Sequence, residues 1–191
     1  MQNIDFILTL YQSKQTVFRL ADVARLVPSV DPKYLSDRLS YYVNTNRLYK
    51  VRMGIYVKPD YNPLALANTL FTPAYISLEY VLQQAGVLFQ YDSRFTCISY
   101  LSRELKVDGH IFSYRKMKEE IMLHANGVIQ NEAGYTIATA ERALLDLLYL
   151  NKGGYLDNIH LLDKQLIMEL LPIYQNQALE RRVIKLLKDD Q

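Results

Sequence analysis

The stretch "NRLYKVRMGIYVKPD" (residues 46–60) decides the fold of the first third of the chain. Its apolar and basic residues alternate, which is typical of a β-strand with one buried face. Met53 and Gly54 lie near its middle, and glycine tolerates the positive φ that a tight hairpin turn requires. The stretch therefore predicts a basic β-hairpin that turns at Met53-Gly54.

A two-residue turn also predicts the register of this hairpin. Val51 is then opposite Tyr56, and Arg52 is opposite Ile55. Successive side chains of a strand point to opposite faces, so Lys50 and Arg52 are expected to share one face and Val51 to occupy the other.

Three short helices are predicted before the hairpin. Apolar residues recur at helical spacing in residues 4–13. In residues 16–30 the repeat consists of Leu20, Val23, Ala24 and Val27, and Pro28 ends the second helix. The third helix begins at Pro32, directly after its N-cap Asp31, and continues through "KYLSDRLSYYVNTN" (residues 33–46). Three helices and a basic hairpin, in this order, indicate a winged helix-turn-helix domain at residues 1–60.

The third helix is expected to have one buried and one outward face. The buried stripe consists of Leu35, Leu39, Tyr42 and Val43. The outward face consists of Lys33, Ser36, Asp37, Ser40 and Tyr41, with Arg38 at its edge. A recognition helix enters the major groove of DNA, and a basic hairpin beside it contacts the sugar-phosphate backbone. The candidate DNA-binding residues are Lys33, Ser36, Asp37, Arg38, Ser40, Tyr41, Arg47, Lys50, Arg52 and Lys58. The alternative is that the same fold makes a protein contact.

The charge distribution supports a nucleic-acid partner more than the net charge of +2 does. Residues 1–60 contain nine Lys or Arg against five Asp or Glu, whereas residues 61–191 contain thirteen against fifteen. A basic first third beside a mildly acidic remainder is typical of an electrostatic footprint for double-stranded DNA. Scattered, solvated surface charges are the alternative interpretation.

Composition predicts a cytoplasmic protein. Cys97 is the single cysteine, so neither an internal disulfide nor a cysteine metal site is expected. The N-terminus lacks the features of a signal peptide, and no apolar run has the length of a membrane span, so no membrane association is expected.

The chain changes character near Asp60, and residues 61–191 are predicted to form a larger mixed α+β domain. Short strand candidates, "RFTCISY", "HIFSYRKM" and "GYTIAT", are bounded by glycines. Thr139 can cap the helix "AERALLDLLYL", whose nearly all-apolar surface predicts a central position in the second core. Arg142 and Asp146, four residues apart, can form an ion pair on this helix.

No catalytic signature is present. The phosphate-binding, nucleophile-elbow and metal-binding motifs are all missing, and the three histidines, His110, His124 and His160, share no metal-ligand spacing. We therefore expect no enzyme activity, no metal and no cofactor.

Four stretches of the chain resemble one known family. These are "YLSDRLSYYVNTNRLYKVRMGIYVKPDYNPLALAN", "TPAYISLEYVLQQAG", "FSYRKMK" and "GYTIATAERALLDLLYL". In this order they resemble the AbiEi-like antitoxins of bacterial type IV toxin–antitoxin systems, which are winged-helix transcriptional regulators. Departures are Met53 where the family commonly has a second arginine, Ala140 where it has proline, and Arg142 where it has lysine.

The resemblance implies two activities. The first domain would bind and repress the promoter of its own operon, and the second would oppose a nucleotidyltransferase-type toxin without a stable complex. The candidate antitoxin surface is Tyr114, Arg115, Glu141, Arg142 and Asp146. For Arg142 and Asp146 a structural role as the brace of a buried helix is favoured, and the role of Glu141 stays open. The alternatives are a regulator whose second domain senses a ligand or dimerises, and a nucleic-acid-processing enzyme.

Overall fold

The computed structural model describes residues 6–28, 30–151 and 156–189. Within these ranges the chain is a mixed α+β fold with nine α-helices and two β-sheets. The helices are α1 (Phe6–Gln12), α2 (Leu20–Leu26), α3 (Pro32–Asn44), α4 (Pro63–Leu70), α5 (Glu79–Gln84), α6 (Glu119–Met122), α7 (Ala140–Leu150), α8 (Lys164–Leu170) and α9 (Gln177–Asp189). The strands are β1 (Val17–Arg19), β2 (Tyr49–Arg52), β3 (Ile55–Val57), β4 (Ala74–Ile76), β5 (Phe95–Ser99), β6 (Arg103–Val107), β7 (His110–Lys116), β8 (Val128–Gln130) and β9 (Thr136–Ala138). None of the helices in these ranges has the length and apolar character that crossing a bilayer requires.

The start of α3 confirms the sequence prediction. The Asp31 carboxylate accepts hydrogen bonds from the backbone N–H groups of Lys33 and Tyr34, at 2.9 and 3.1 Å, and Pro32 occupies the first turn. These bonds satisfy N–H groups that have no partner within the helix. Leu35 and Leu39 are buried below, as expected.

The apolar repeat at residues 20–27 corresponds to α2, but the strand before it was not predicted. Residues 17–19 form β1, and α2 covers only Leu20–Leu26. The first helix, α1, agrees with the prediction from Phe6 onward, and residues 4 and 5 lie outside the described part.

The first sheet has the strand order β1-β3-β2, and both of its pairings are antiparallel. Its two faces belong to different cores. Phe18 and Tyr56 pack with the helices α1 to α3, whereas Val17, Ile55 and Val57 pack in the larger core that contains α4. Apolar packing therefore continues across the predicted boundary at residue 60.

The second sheet has the order β6-β7-β5-β4-β9-β8. The pairs β5–β7 and β4–β9 are parallel and the others are antiparallel. The three strand candidates of the sequence correspond to β5, β7 and β9. Helix α7 packs against α5, α8 and α9, and every residue from 142 to 148 is buried. This confirms its predicted central position.

Candidate functional site

The outward side of α3 brings together the six helix residues that the sequence predicted. Lys33, Asp37, Ser40 and Tyr41 are exposed in its middle, and Ser36 and Arg38 are partly buried on its two flanks. The Ser40 hydroxyl donates to the carbonyl oxygen of Ser36 at 2.9 Å, so its oxygen is left as an acceptor on the exposed surface.

Arg38 is held by the tyrosines around it. Its Nη2 donates to the hydroxyl oxygen of Tyr42 at 2.8 Å. Its guanidinium carbon lies 5.1, 5.2 and 5.9 Å from the ring centres of Tyr42, Tyr41 and Tyr34. The hydrogen bond with Tyr42 raises the pKa of Arg38 above its ordinary value, so the group is a permanent cation.

The predicted pairing of Arg52 with Ile55 is confirmed, but the predicted pairing of Val51 with Tyr56 is wrong. Lys50 pairs with Tyr56 and Arg52 pairs with Ile55, so Val51 is an extra residue in a β-bulge. Because Ile55 and Tyr56 are neighbours, they point to opposite faces, and their partners do the same. Lys50 and Arg52 therefore lie on opposite faces of the sheet and do not share one face as the sequence suggested.

The contacts of these two cations agree with the bulge. The Lys50 Nζ lies 6.0 Å from the ring centre of Tyr56, on the side of helices α1 to α3. The Arg52 guanidinium lies 5.9 Å from the ring centre of Phe71, just after α4. Lys50 therefore lies on the side of α3, whereas Arg52 contacts Phe71 in residues 61–191. Arg47, between α3 and β2, is exposed, and its carbonyl oxygen accepts from the Tyr11 hydroxyl at 2.7 Å.

Lys58 does not belong to the exposed set. It is buried, and its Nζ donates to the carbonyl oxygens of Ser13 at 2.7 Å and Tyr11 at 3.3 Å. Burial lowers the pKa of its ammonium group. Cations at a helix C-terminus interact favourably with the last carbonyls, so Lys58 fixes the end of α1 to the sheet.

The five candidates for an antitoxin surface do not lie on one surface. Tyr114, Arg142 and Asp146 are buried. Arg115 is partly buried and its Nη2 donates to the side-chain oxygen of Asn151 at 3.1 Å. Glu141 is partly exposed on α7.

Asp146 is the acceptor of a buried network. It accepts from the hydroxyls of Tyr75, Ser77 and Tyr174 at 2.9, 2.8 and 2.7 Å. The Arg142 Nε lies 3.3 Å from the same carboxylate. Sequence spacing predicted the Arg142–Asp146 pair, but the three hydroxyl donors were not predicted.

Arg142 uses its other nitrogens within the protein as well. They donate to the carbonyl oxygens of Ile121 at 2.6 Å and Asn126 at 2.9 Å, and to the Tyr75 hydroxyl at 3.1 Å. A buried pair with this number of partners is satisfied, and it presents no group to a ligand. The favoured structural role of Arg142 and Asp146 agrees with this geometry.

A cleft of about 510 Å³ lies between residues of the predicted first domain (1–60) and residues of the predicted second domain (61–191). Gln15 and Arg25 line one side, and Asn68, Gln130 and Thr136 line the other. Asn68 accepts from the backbone N–H and the hydroxyl of Thr136 at 2.7 and 2.6 Å, and its Nδ2 has no partner among the described residues.

The described ranges contain neither a metal-binding cluster nor an exposed thiol. No group of three His, Cys, Asp or Glu side chains there is arranged to hold a metal ion. Cys97 is fully buried, and burial raises the pKa of its thiol. No protein-family model matches the chain, and comparison with curated proteins finds no significant match.

Proposed function

We propose that this protein is a DNA-binding transcriptional regulator whose residues 1–60 form a winged helix-turn-helix. The element order α1-β1-α2-α3-β2-β3 and the strand order β1-β3-β2 support this fold. In this proposal α3 is the recognition helix and the β2–β3 hairpin is the wing.

The observation that carries the proposal is a set of cations without acidic partners. Lys33, Arg38, Arg47 and Lys50 lie on α3, on the loop after it or on the neighbouring hairpin, and none forms a salt bridge with another described residue. Unpaired cations beside an exposed helix provide the positive surface that duplex DNA requires.

In this proposal the middle of the outward face of α3 and the cations around it have different roles. The major groove, about 12 Å wide, admits an α-helix, and Asp37 and Ser40 in the middle of the outward face would meet the base edges. The Ser40 oxygen can accept from the amino group of adenine or cytosine, and Asp37 can accept from the amino group of cytosine. The cations around them would contact phosphates, which fix orientation without specifying sequence.

Fluorescence anisotropy with two duplexes tests this proposal. One duplex has the sequence upstream of the protein's own gene, and the other has the same length and a scrambled sequence. Lys33→Ala should weaken both equally and reduce the salt-dependence slope by about 0.9. Ser40→Ala should change the preference between the two by about 1–3 kcal/mol where a base contact is lost. Failure of the unaltered protein to bind either duplex would reject the proposal.

We further propose that the regulator represses its own promoter and acts as a type IV antitoxin against a nucleotidyltransferase-type toxin. The resemblance at residues 34–68 and 134–150 supports this activity. The proposal predicts that a neighbouring gene encodes a nucleotidyltransferase whose expression stops growth, and that co-expression of this protein restores growth. Absence of such a gene, or no recovery of growth, would reject this activity. Lys50→Ala, which would impair the proposed DNA contact alone, is the matched variant and should still restore growth.

A ligand-sensing regulator is the second candidate, and the cleft between the two halves of the chain favours it. Small ligands bind in clefts between structural units that present a few convergent polar groups. A small polar molecule that both raises the melting temperature and changes DNA affinity would support this function, and Gln130→Leu should remove both effects.

A further inference from the structure

Arg38 differs from the other cations of the proposed interface because aromatic side chains fix its position. Tyr42 is buried in the apolar core formed with helices α1 to α3, and its hydroxyl accepts from Nη2 of Arg38. Tyr34 and Tyr41, which are about half exposed, add two ring faces at 5.9 and 5.2 Å from the guanidinium carbon. These contacts restrict the side chain before any ligand arrives.

The free hydrogen-bond donors of Arg38 lie at the end of its guanidinium group. The Nε atom is covered and has no partner among the described residues. The Tyr42 hydroxyl is the acceptor for one N–H of Nη2. Guanidinium has five N–H donors in a planar fork, so the remaining ones all belong to the two terminal nitrogens. An acceptor with two oxygens can therefore meet this group end-on.

We infer that Arg38 is a preset contact to one DNA phosphate, and that Tyr34 and Tyr41 are its positioning residues. This inference rests on the proposed DNA-binding function. Arg38 lies on the flank of α3, where a helix in the major groove faces the groove wall and its phosphates. Held against the tyrosine rings, it lies along the helix surface and does not extend toward the bases.

Positioning matters because a free arginine loses conformational entropy when it binds. Arg38 has lost part of that entropy in the unbound protein, so less is lost on contact with phosphate. Lysine at this position would keep the charge, but it would lose the planar fork and the stacking. Replacement of Arg38 by lysine and by alanine therefore separates charge from geometry.

The experiment measures the dissociation constant of the full chain as a function of salt, on the upstream and the scrambled duplex. Arg38→Ala should weaken binding to both duplexes by the same factor and reduce the slope by about 0.9. Arg38→Lys should retain most of the slope and still bind about three- to tenfold more weakly than the unaltered protein. Circular dichroism melts verify that each variant is folded.

A double-mutant cycle tests the positioning role. Tyr41→Leu should weaken binding about two- to fivefold when Arg38 is present and have no effect in the Arg38→Ala background. Tyr41→Phe, which retains the ring, should bind like the unaltered protein. An equal loss in both backgrounds would mean that Tyr41 contacts DNA itself, and the positioning role would be wrong.

Three further outcomes would overturn the inference. A change in the ratio of the two duplex affinities in Arg38→Ala would assign this residue to a base edge. An unchanged slope in Arg38→Ala, together with a reduced slope in Lys33→Ala, would reject Arg38 and leave the proposed function standing. If the unaltered protein binds neither duplex, the inference and the proposed function fail together.

Discussion

Replacement of Asp146 by asparagine is the sharpest test of what α7 does. The Asp146 carboxylate accepts from Tyr75, Ser77 and Tyr174 at 2.7–2.9 Å and faces the Arg142 Nε at 3.3 Å, and neither charged side chain is exposed to solvent. Asparagine has nearly the same shape, so the substitution removes the negative charge and replaces one acceptor oxygen by a donor.

The loss of unfolding free energy depends on which partners of residue 146 can form new hydrogen bonds with asparagine. If the asparagine amide nitrogen faces Tyr75 and Ser77, their hydroxyls can rotate and accept from it. Arg142 cannot adapt, because guanidinium has no acceptor and stays charged. Three backbone and hydroxyl oxygens still accept from it, but the buried charge has no counter-ion. Breaking a buried pair in this way costs about 3–5 kcal/mol.

Thermal and urea unfolding followed by far-ultraviolet circular dichroism measure this loss. For a chain of this size, about 3–5 kcal/mol corresponds to a melting temperature about 6–20 °C lower. Tyr174→Phe, which removes one hydroxyl from the same carboxylate, should cost about 1.5–3 kcal/mol. The matched control is Glu141→Gln on the same helix. Its carboxylate is partly exposed and accepts from the Asp163 backbone N–H at 3.2 Å, and glutamine retains that acceptor.

One result would refute this reasoning. If Asp146→Asn melts within a degree of the unaltered protein, the buried network does not stabilise the fold. If that stable variant also fails to restore growth beside a nucleotidyltransferase toxin, antitoxin activity resides on α7 itself. A large loss of stability with normal growth at permissive temperature would agree with the structural role.

Three other predictions follow from the geometry. Lys50→Ala should reduce the salt-dependence slope of DNA binding by about 0.9, whereas Arg52→Ala, on the opposite face of the bulged hairpin, should leave it unchanged; salt titrations compare them. Gly127→Ala should destabilise the fold by about 1–3 kcal/mol more than Gly109→Ala in urea unfolding. Both glycines have positive φ, but a Cβ meets other side chains at 2.9 Å only in the first. Cys97 should resist thiol reagents in the native protein and react on unfolding, because it is fully buried.

The sequence predicts local features of this fold well. Asp31 caps α3 because a carboxylate two and three residues before free N–H groups needs no tertiary partner to bind them. Arg142 and Asp146 are paired because four residues bring side chains together on any helix. Both predictions depend only on neighbours along one element, and the structure confirms both.

The bulge at Val51 could not be predicted from spacing. Alternation gives the face of each residue only while the register is regular, and one inserted residue reverses every assignment after it. Strand β1 has only three residues, too few to show a periodic pattern, and it forms because it pairs with β3. The apolar pattern of "TVFRLADVARL" suits a helix equally well.

The hydroxyl donors to Asp146 could not be predicted from spacing either. Tyr75, Ser77 and Tyr174 lie on other elements, 71, 69 and 28 residues away along the chain. Sixteen tyrosines offered many candidates, and composition does not distinguish a buried phenol from an exposed one. Tertiary packing alone selects these side chains, so the sequence predicted the ion pair and missed its partners.

Strand β3 is buried on both faces, so it joins the helical core of residues 1–60 to the larger core that contains residues 61–191. Tyr56 packs into the helical core, and Ile55 and Val57 pack into the larger core. Arg52, paired with Ile55, stacks on Phe71. A displacement of α4 would therefore move the hairpin directly, because rigid, close-packed interiors transmit strain. The two sequence patterns that meet near residue 60 therefore share apolar packing at β1 and β3.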